Sequence, residues 1–296
     1  MGINVYEIVT ERIIELLQRG TVPWRKSWSA GSGIPKNLVS KKEYRGLNVF
    51  LLSASPYSSP YWLSYRQAQE RGGNVRKGEK SSLVTFWKLM DRTSSDNEGA
   101  FTGKVPLLRY YNVFNLEQCE GITVQPDPDE TVNSFTPIEK AEQIVSGMPN
   151  PPQIHYGGNR AFYRPAEDRV QMPHKHTFDR SESFYDVCFH ELAHSSGAAH
   201  RLARKEVMER TEFGSEDYSA EELVAEFTAS FLCAHAGISN ETIELSASYI
   251  DGWLSVLKSG DKRLLVTAAA RAQKAADYIL NRKGGEESEE TEDIAA

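Results

Sequence analysis

The run His190, Glu191, Leu192, Ala193, His194 carries the clearest chemistry in the chain. Positions i and i+4 lie on one face of a helix, so the two imidazoles can present nitrogens to a single ion such as zinc. Glu191 points beside that face. There it could accept a proton from a water that the ion has acidified towards a pKa of roughly 7 and pass it to a leaving amine. This is the logic of zinc peptidases, and it makes Glu191 the candidate catalytic base.

A tetrahedral site needs a third protein ligand and keeps one position open. Two sources compete. The segment HELAHSSGAAH, from His190 to His200, matches H-E-x-x-H-x-x-G-x-x-H, with Gly197 able to turn the chain so that His200 reaches the ion. That arrangement expects a methionine turn downstream, and Met208, the only methionine after the motif, lies in a charged stretch that offers none. The other source is SAEELVAEFTASFLCAHA, from Ser219 to Ala236, where Glu222 and Glu226 share a helical face. Glu222 is the favoured ligand and Glu226 the expected acceptor that orients a ligand histidine, with Glu226 as ligand left open. Tyr218 and His235 could polarise a carbonyl but read as structural, and His174 and His176 read as a polar loop.

These residues need elements to hold them. The motif sits in an expected helix from Phe184 to Ser196, preceded by short strands at Gln153–Tyr156, Ala161–Arg164 and Arg169–Met172, the last two forming a hairpin. Further helices are expected at 137–147, 220–236, 241–257 and 262–281. Upstream, Asn4 with Glu7 reads as a capping box for a helix that stops near Gly20. A second short helix is expected over 62–71, and two strands over 83–90 and 107–114 flank a long polar loop, 91–104. The fold class is therefore α+β: an N-terminal α+β domain (1–125), a Pro- and acid-rich linker (126–136), a mostly helical domain with a small sheet (137–283) and a disordered acidic tail (284–296).

Composition is that of a soluble globular protein, with 40% hydrophobic and 25% charged residues. No apolar run approaches the roughly 18 residues of a membrane span, and Met1 to Arg12 does not look like a secretory signal, so no membrane association and a cytoplasmic location are expected. Cys119, Cys188 and Cys233 are widely spaced and odd in number, which points to reduced core thiols. The net charge of −7 divides unevenly: residues 1–125 hold 17 Lys and Arg against 11 Asp and Glu, and residues 126–296 hold 17 against 30. A basic surface attracts phosphate, so the first half is the candidate nucleic-acid binder. In it, PWRKSW interleaves Trp24 and Trp28 with Arg25 and Lys26, followed by Tyr44, Arg45 and Asn48 and by a basic turn with Arg76, Lys77 and Lys80. Aromatic faces that stack bases and cations that track phosphates are the ingredients of single-strand binding.

VYEIVTERIIELLQRGTVPWRKSW from Val5, YRGLNVFLL from Tyr44, YWLSYRQAQERGGNVRKGEKSS from Tyr61 and VTFWK from Val84 resemble the N-terminal single-stranded-DNA-binding domain of the ArdC family of plasmid antirestriction proteins. FHELAHSSG from Phe189 and YSAEELVAEFTASFLCA from Tyr218 are similar to the zincin-like metallopeptidase domain that follows it in that family. The resemblance implies a protein that binds single-stranded DNA and protects incoming plasmid DNA from host restriction during conjugation. It implies His190, His194 and a glutamate of the E-E-L-V-A-E segment, Glu222, in preference to His200, as ligands of Zn2+ or another divalent ion such as Mn2+. Further partners would be a host restriction enzyme or DNA-bound proteins. Two other functions stay open: a DNA-recruited metalloprotease, and a non-catalytic DNA-shielding module with a structural metal.

Overall fold

A computed structural model describes residues 4–25, 34–96, 99–123, 137–209, 216–238 and 247–282. Lys26, Trp28, the linker 126–136 and the tail 284–296 lie outside them.

The chain opens with α1 (Val5–Gln18), whose Asn4 side chain accepts a hydrogen bond from the Tyr6 amide and so caps the helix. Val9, Ile13, Leu16 and Leu17 fall on its buried face, as their helical spacing requires. The short β1 (Lys36–Asn37), α2 (Leu47–Ser53), β2 (Tyr61–Leu63), α3 (Tyr65–Glu70) and β3 (Asn74–Val75) follow. Then come the long β4 (Ser82–Asp96) and β5 (Gly99–Asn115), and β6 (Cys119–Glu120). One sheet has the order β1-β2-β5-β4, and β3 pairs with β6.

Three features depart from the sequence expectations. The helix over 62–71 is shorter, because Trp62 and Leu63 pair with β5 and Ser64 then starts α3 with a capping box to Gln67. The expected loop 91–104 is instead the outer part of a two-stranded ribbon, with Thr93 opposite Thr102 and Asp96 opposite Gly99. The segment is polar and carries no apolar alternation, so its sequence looks like a loop. The third is α2, which sequence patterning missed: LNVFLLS is almost uniformly apolar and is buried against β4 and the last helix, so it carries no helical period.

Beyond residue 136 come α4 (Pro137–Gly147), β7 (Gln153–Tyr156), β8 (Phe162–Arg164) and β9 (Arg169–Met172). The sheet order is β7-β9-β8, with β8 and β9 antiparallel as expected and β7 parallel to β9. The helices α5 (Ser181–Ser196), α6 (Lys205–Met208), α7 (Glu216–Ala236), α8 (Ala247–Ser259) and α9 (Leu264–Ile279) complete the described chain. This is the expected α+β class, with a largely helical second half. Among the described residues no helix is long and apolar enough to cross a membrane.

The two halves share one apolar core. Phe50 of α2 lies 4.5 Å from Phe227 and stacks on Phe231 at 4.9 Å, both on α7. Trp24 packs edge-on against Phe227 at 5.1 Å and Trp253 of α8 at 6.0 Å. Cys188 and Cys233 are buried in this core, and all three cysteines are free thiols.

Candidate metal centre

α5 and α7 pack side by side and bring three ligand atoms together. The Nε2 atoms of His190 and His194 lie 3.1 Å apart, and Glu222 places Oε2 3.5 Å from the first and Oε1 3.6 Å from the second. Ligand bonds of about 2.0 to 2.1 Å in a tetrahedron put its corners roughly 3.3 Å apart, so the set fits a zinc-sized divalent ion without rearrangement. Three lone pairs converging on one point favour a positive charge between them, which a metal ion or a proton supplies. Burial opposes charging His190, yet Glu222, Glu226 and Glu191 outweigh it and lift its pKa to about 9. Glu222 stays well below the ordinary carboxylate range despite its own burial, because the two histidines face it. His190, His194 and Glu222 form a candidate site for a divalent metal. Glu191, one residue along α5, is buried at 8% exposure.

The acceptor that orients His194 is Glu221, a residue the sequence reading did not single out. His194 donates its Nδ1–H to Glu221 Oε1 at 3.1 Å, which leaves its Nε2 lone pair for the ion. The two nitrogens of one imidazole point to different sides, and the adjacent carboxylates of Glu221 and Glu222 address one each. Arg204 holds Glu221 from behind, donating from Nε at 2.9 Å and from Nη2 at 2.7 Å, and also donates to the Ala193 carbonyl and to Ser196 Oγ at the end of α5. Burial raises the Glu221 carboxyl, but His194 and Arg204 overcome it and hold its pKa down. Glu226 contributes charge to His190 without joining the ligand cluster.

His200 does not approach the site. Its Nε2 lies 3.3 Å from Asp168, with the side chain 53% exposed. Arg201 explains this, since its fully buried side chain clasps Asp168 through both guanidinium nitrogens at 2.7 and 2.8 Å and donates to the Ser195 carbonyl. Gly197 does not turn the chain back: its φ of −79° is ordinary helical backbone. Its service is space, because a Cβ there would meet Val207 Cγ2 at 2.5 Å and the Arg204 guanidinium at 3.0 Å.

Tyr218, read as structural from sequence, belongs to this site. Burial, then the charge of Glu222 and a hydrogen bond to it, push its phenol up to about 12, so it stays a neutral O–H donor beside Glu222. His235 lies elsewhere, with the Arg282 guanidinium against its ring at 3.3 and 3.4 Å. His174 and His176 stack on each other at 5.4 Å and take no part in the cluster.

The nucleic-acid candidates scatter. Trp24 is 1% exposed in the shared core, which leaves no ring face for a base. Tyr44 and Asn48 are also buried, Asn48 donating to the Thr85 carbonyl at 2.7 Å and accepting from its amide, and Arg45 pairs with Asp277 of α9. Trp24, Tyr44 and Asn48 are spent on structure, while Arg45 keeps an exposed side chain beside its partner. Arg25 falls at the end of a described stretch that does not include its side-chain surroundings. Arg76, Lys77 and Lys80 are exposed, with Arg76 paired to Glu79 at 2.9 Å.

Comparison with known proteins supports both halves. A family profile described as the N-terminal domain of anti-restriction factor ArdC matches residues 3–114, and one described as a zincin-like metallopeptidase matches residues 139–271. The chain is 38% identical over 288 residues to the uncharacterized protein y4eC of Sinorhizobium fredii, covering 93% of this chain and 91% of that protein. It is 33% identical over 296 residues to a DNA primase TraC of Escherichia coli, of whose length it spans only 27%. Among solved structures, the metal-free antirestriction ArdC protein from plasmid R388 superposes with a TM-score of 0.73 at 33% identity, covering 95% of this chain and 100% of that one. The Mn(II)-bound form of the same protein gives a TM-score of 0.73 at 34% identity, covering 94% and 98%.

Proposed function

The chain belongs to the ArdC family of antirestriction proteins, and on that premise we propose that it binds single-stranded DNA and shields incoming plasmid DNA from host restriction during conjugation, in the bacterial cytoplasm. Its N-terminal domain (1–125) would hold the strand. Its second domain (137–283), joined through 126–136 and trailed by 284–296, would carry a metallopeptidase-type centre. The observation that carries this second part is the tetrahedral spacing of His190, His194 and Glu222 beside the buried Glu191. The TraC primases, which include this chain's counterpart as about a quarter of their length, support an association with DNA handling.

His190, His194 and Glu222 would hold Zn2+ or Mn2+, the metal of the R388 relative. When bound, such an ion supplies Lewis-acid polarisation of a carbonyl and acidification of water. Glu191 then has a definite task as a buried carboxylate next to the reacting groups: it takes a proton from the attacking water and returns it to the amine as the C–N bond breaks. Tyr218, kept neutral, offers an O–H donor on the Glu222 side of the site. Glu221, clamped by Arg204, keeps His194 in the tautomer that faces the ion.

Plasmid transfer into restricting and non-restricting recipients tests the proposal. Supplying the protein should restore transfer into the restricting host and leave transfer into the other unchanged, and Glu191→Gln should lose the restoration while keeping metal and DNA binding. Equal transfer with and without the protein would contradict the antirestriction role. Full restoration by Glu191→Gln would reduce the metal centre to a structural one.

A further inference from the structure

We propose that single-stranded DNA is held by the face built from β1, the 38–42 turn, α3 and the 76–80 turn, rather than by the tryptophan segment 24–28 or the long ribbon. The proposal rests on the single-strand reading above and says where on the molecule the strand lies. The charge distribution carries the first step. Residues 34–81 hold 9 Lys and Arg against 3 Asp and Glu, whereas residues 82–123 hold 4 against 5, so the positive excess of the first half is concentrated in one described segment.

That segment is also contiguous in space. Leu38, Tyr61, Leu63 and Ala68 form a small buried core on which Val75 packs, and Asn37 donates from Nδ2 to Gln67 Oε1 at 3.2 Å, tying the 38–42 turn to α3. Tyr65 at the start of α3 reaches Asn74 of β3 with its hydroxyl at 3.4 Å, next to the 76–80 turn. The cations therefore decorate the shell of one small core. Among the described residues Lys41, Lys42, Arg71, Lys77 and Lys80 make no ion pair, and all five are exposed. Charge left without carboxylate partners on a rigid shell is what a phosphodiester chain neutralises, with release of its counterions.

The aromatic component is present as well. The ammonium groups of Lys36 and Lys41 lie 4.8 and 4.7 Å from the centre of the Tyr61 ring, which anchors two flexible side chains at the surface and lowers the entropy lost when they meet a phosphate. Tyr65 is 47% exposed, held at its edge by Phe114 at 6.4 Å, and Val39 is 43% exposed in the neighbouring turn. A half-exposed aromatic ring held by a neighbouring ring is a stacking platform for a base of any identity. Trp24, by contrast, has no open face.

Fluorescence anisotropy of a labelled oligo(dT) of about 20 nucleotides with the full chain, over a range of salt, tests this. Lys77→Gln with Lys80→Gln should weaken binding several-fold and reduce the slope of log K against log salt by about 1.4, the value for two phosphate contacts to a single strand. Tyr65→Ala should weaken binding by about ten-fold with the slope unchanged. Lys36→Gln with Lys41→Gln should act like the first pair. If it also lowers the melting temperature, by uncovering Tyr61, the other two variants still decide the matter. Lys104→Gln with Arg109→Gln on the ribbon should change nothing. Tight binding by the unaltered protein that survives all the first three variants, or that is lost in the ribbon variant alone, overturns this face while leaving single-strand binding intact. No binding by the unaltered protein overturns the single-strand reading itself, and the face with it.

Discussion

At the level of single residues, the H-E-x-x-H spacing was legible because a helix dictates it, and the choice of Glu222 over His200 followed from the resemblance rather than from spacing. What sequence could not show was Glu221. α7 begins at Glu216, so Glu221 and Glu222 both stand inside the helix and straddle His194. The Arg204 pairing that fixes Glu221 is a contact made across a loop, which no local pattern records. It leads to a separable prediction. Glu221→Gln leaves the buried Arg204 charge unmatched, so the metal-free protein should melt at a lower temperature, and metal affinity by calorimetry should fall about 10- to 100-fold. Adding Arg204→Met removes the unmatched charge and should restore the melting temperature without restoring the affinity. If both recover together, Glu221 stabilises the fold and does not position His194.

Elements were read well where their apolar period was clean and poorly where burial was complete or absent. The helix α1 and the strands β7, β8 and β9 lie close to where patterning put them. α2 was missed because it is buried on nearly every side, and the ribbon was shortened because the sequence of its outer part is polar and carries no apolar alternation. The same limitation affected Trp24, whose neighbours Arg25 and Lys26 suggested a basic aromatic surface. In the fold its short helical turn, Pro23–Arg25, drives the indole between α7 and α8. Trp24→Ala should therefore cost about 3 to 5 kcal/mol in a urea titration, the range for emptying a large aromatic site. Below the transition, its affinity for oligo(dT) should match that of the unaltered protein. A strong loss of DNA affinity with little change in stability would return Trp24 to the binding surface.

For the whole molecule, α7 is the common element: one part of it carries Glu221 and Glu222, and the turns that follow carry Phe227 and Phe231, which receive Trp24 and Phe50 from the first half. The charge asymmetry between the halves was plain in composition, while the core they share was not, because the ring contacts that join them, Trp24 with Phe227 and Trp253 and Phe50 with Phe227 and Phe231, link residues more than a hundred positions apart. The metal centre is thus supported on a scaffold to which both halves contribute. Its ligand set is the claim on which the proposed chemistry depends, and calorimetric titration of the metal-stripped full chain with Zn2+ and with Mn2+ tests it most directly. One ion should bind per chain, Glu222→Ala and His190→Ala should each abolish that binding, and His200→Ala should leave both affinity and stoichiometry unchanged. Binding that survives Glu222→Ala but disappears in His200→Ala would contradict it.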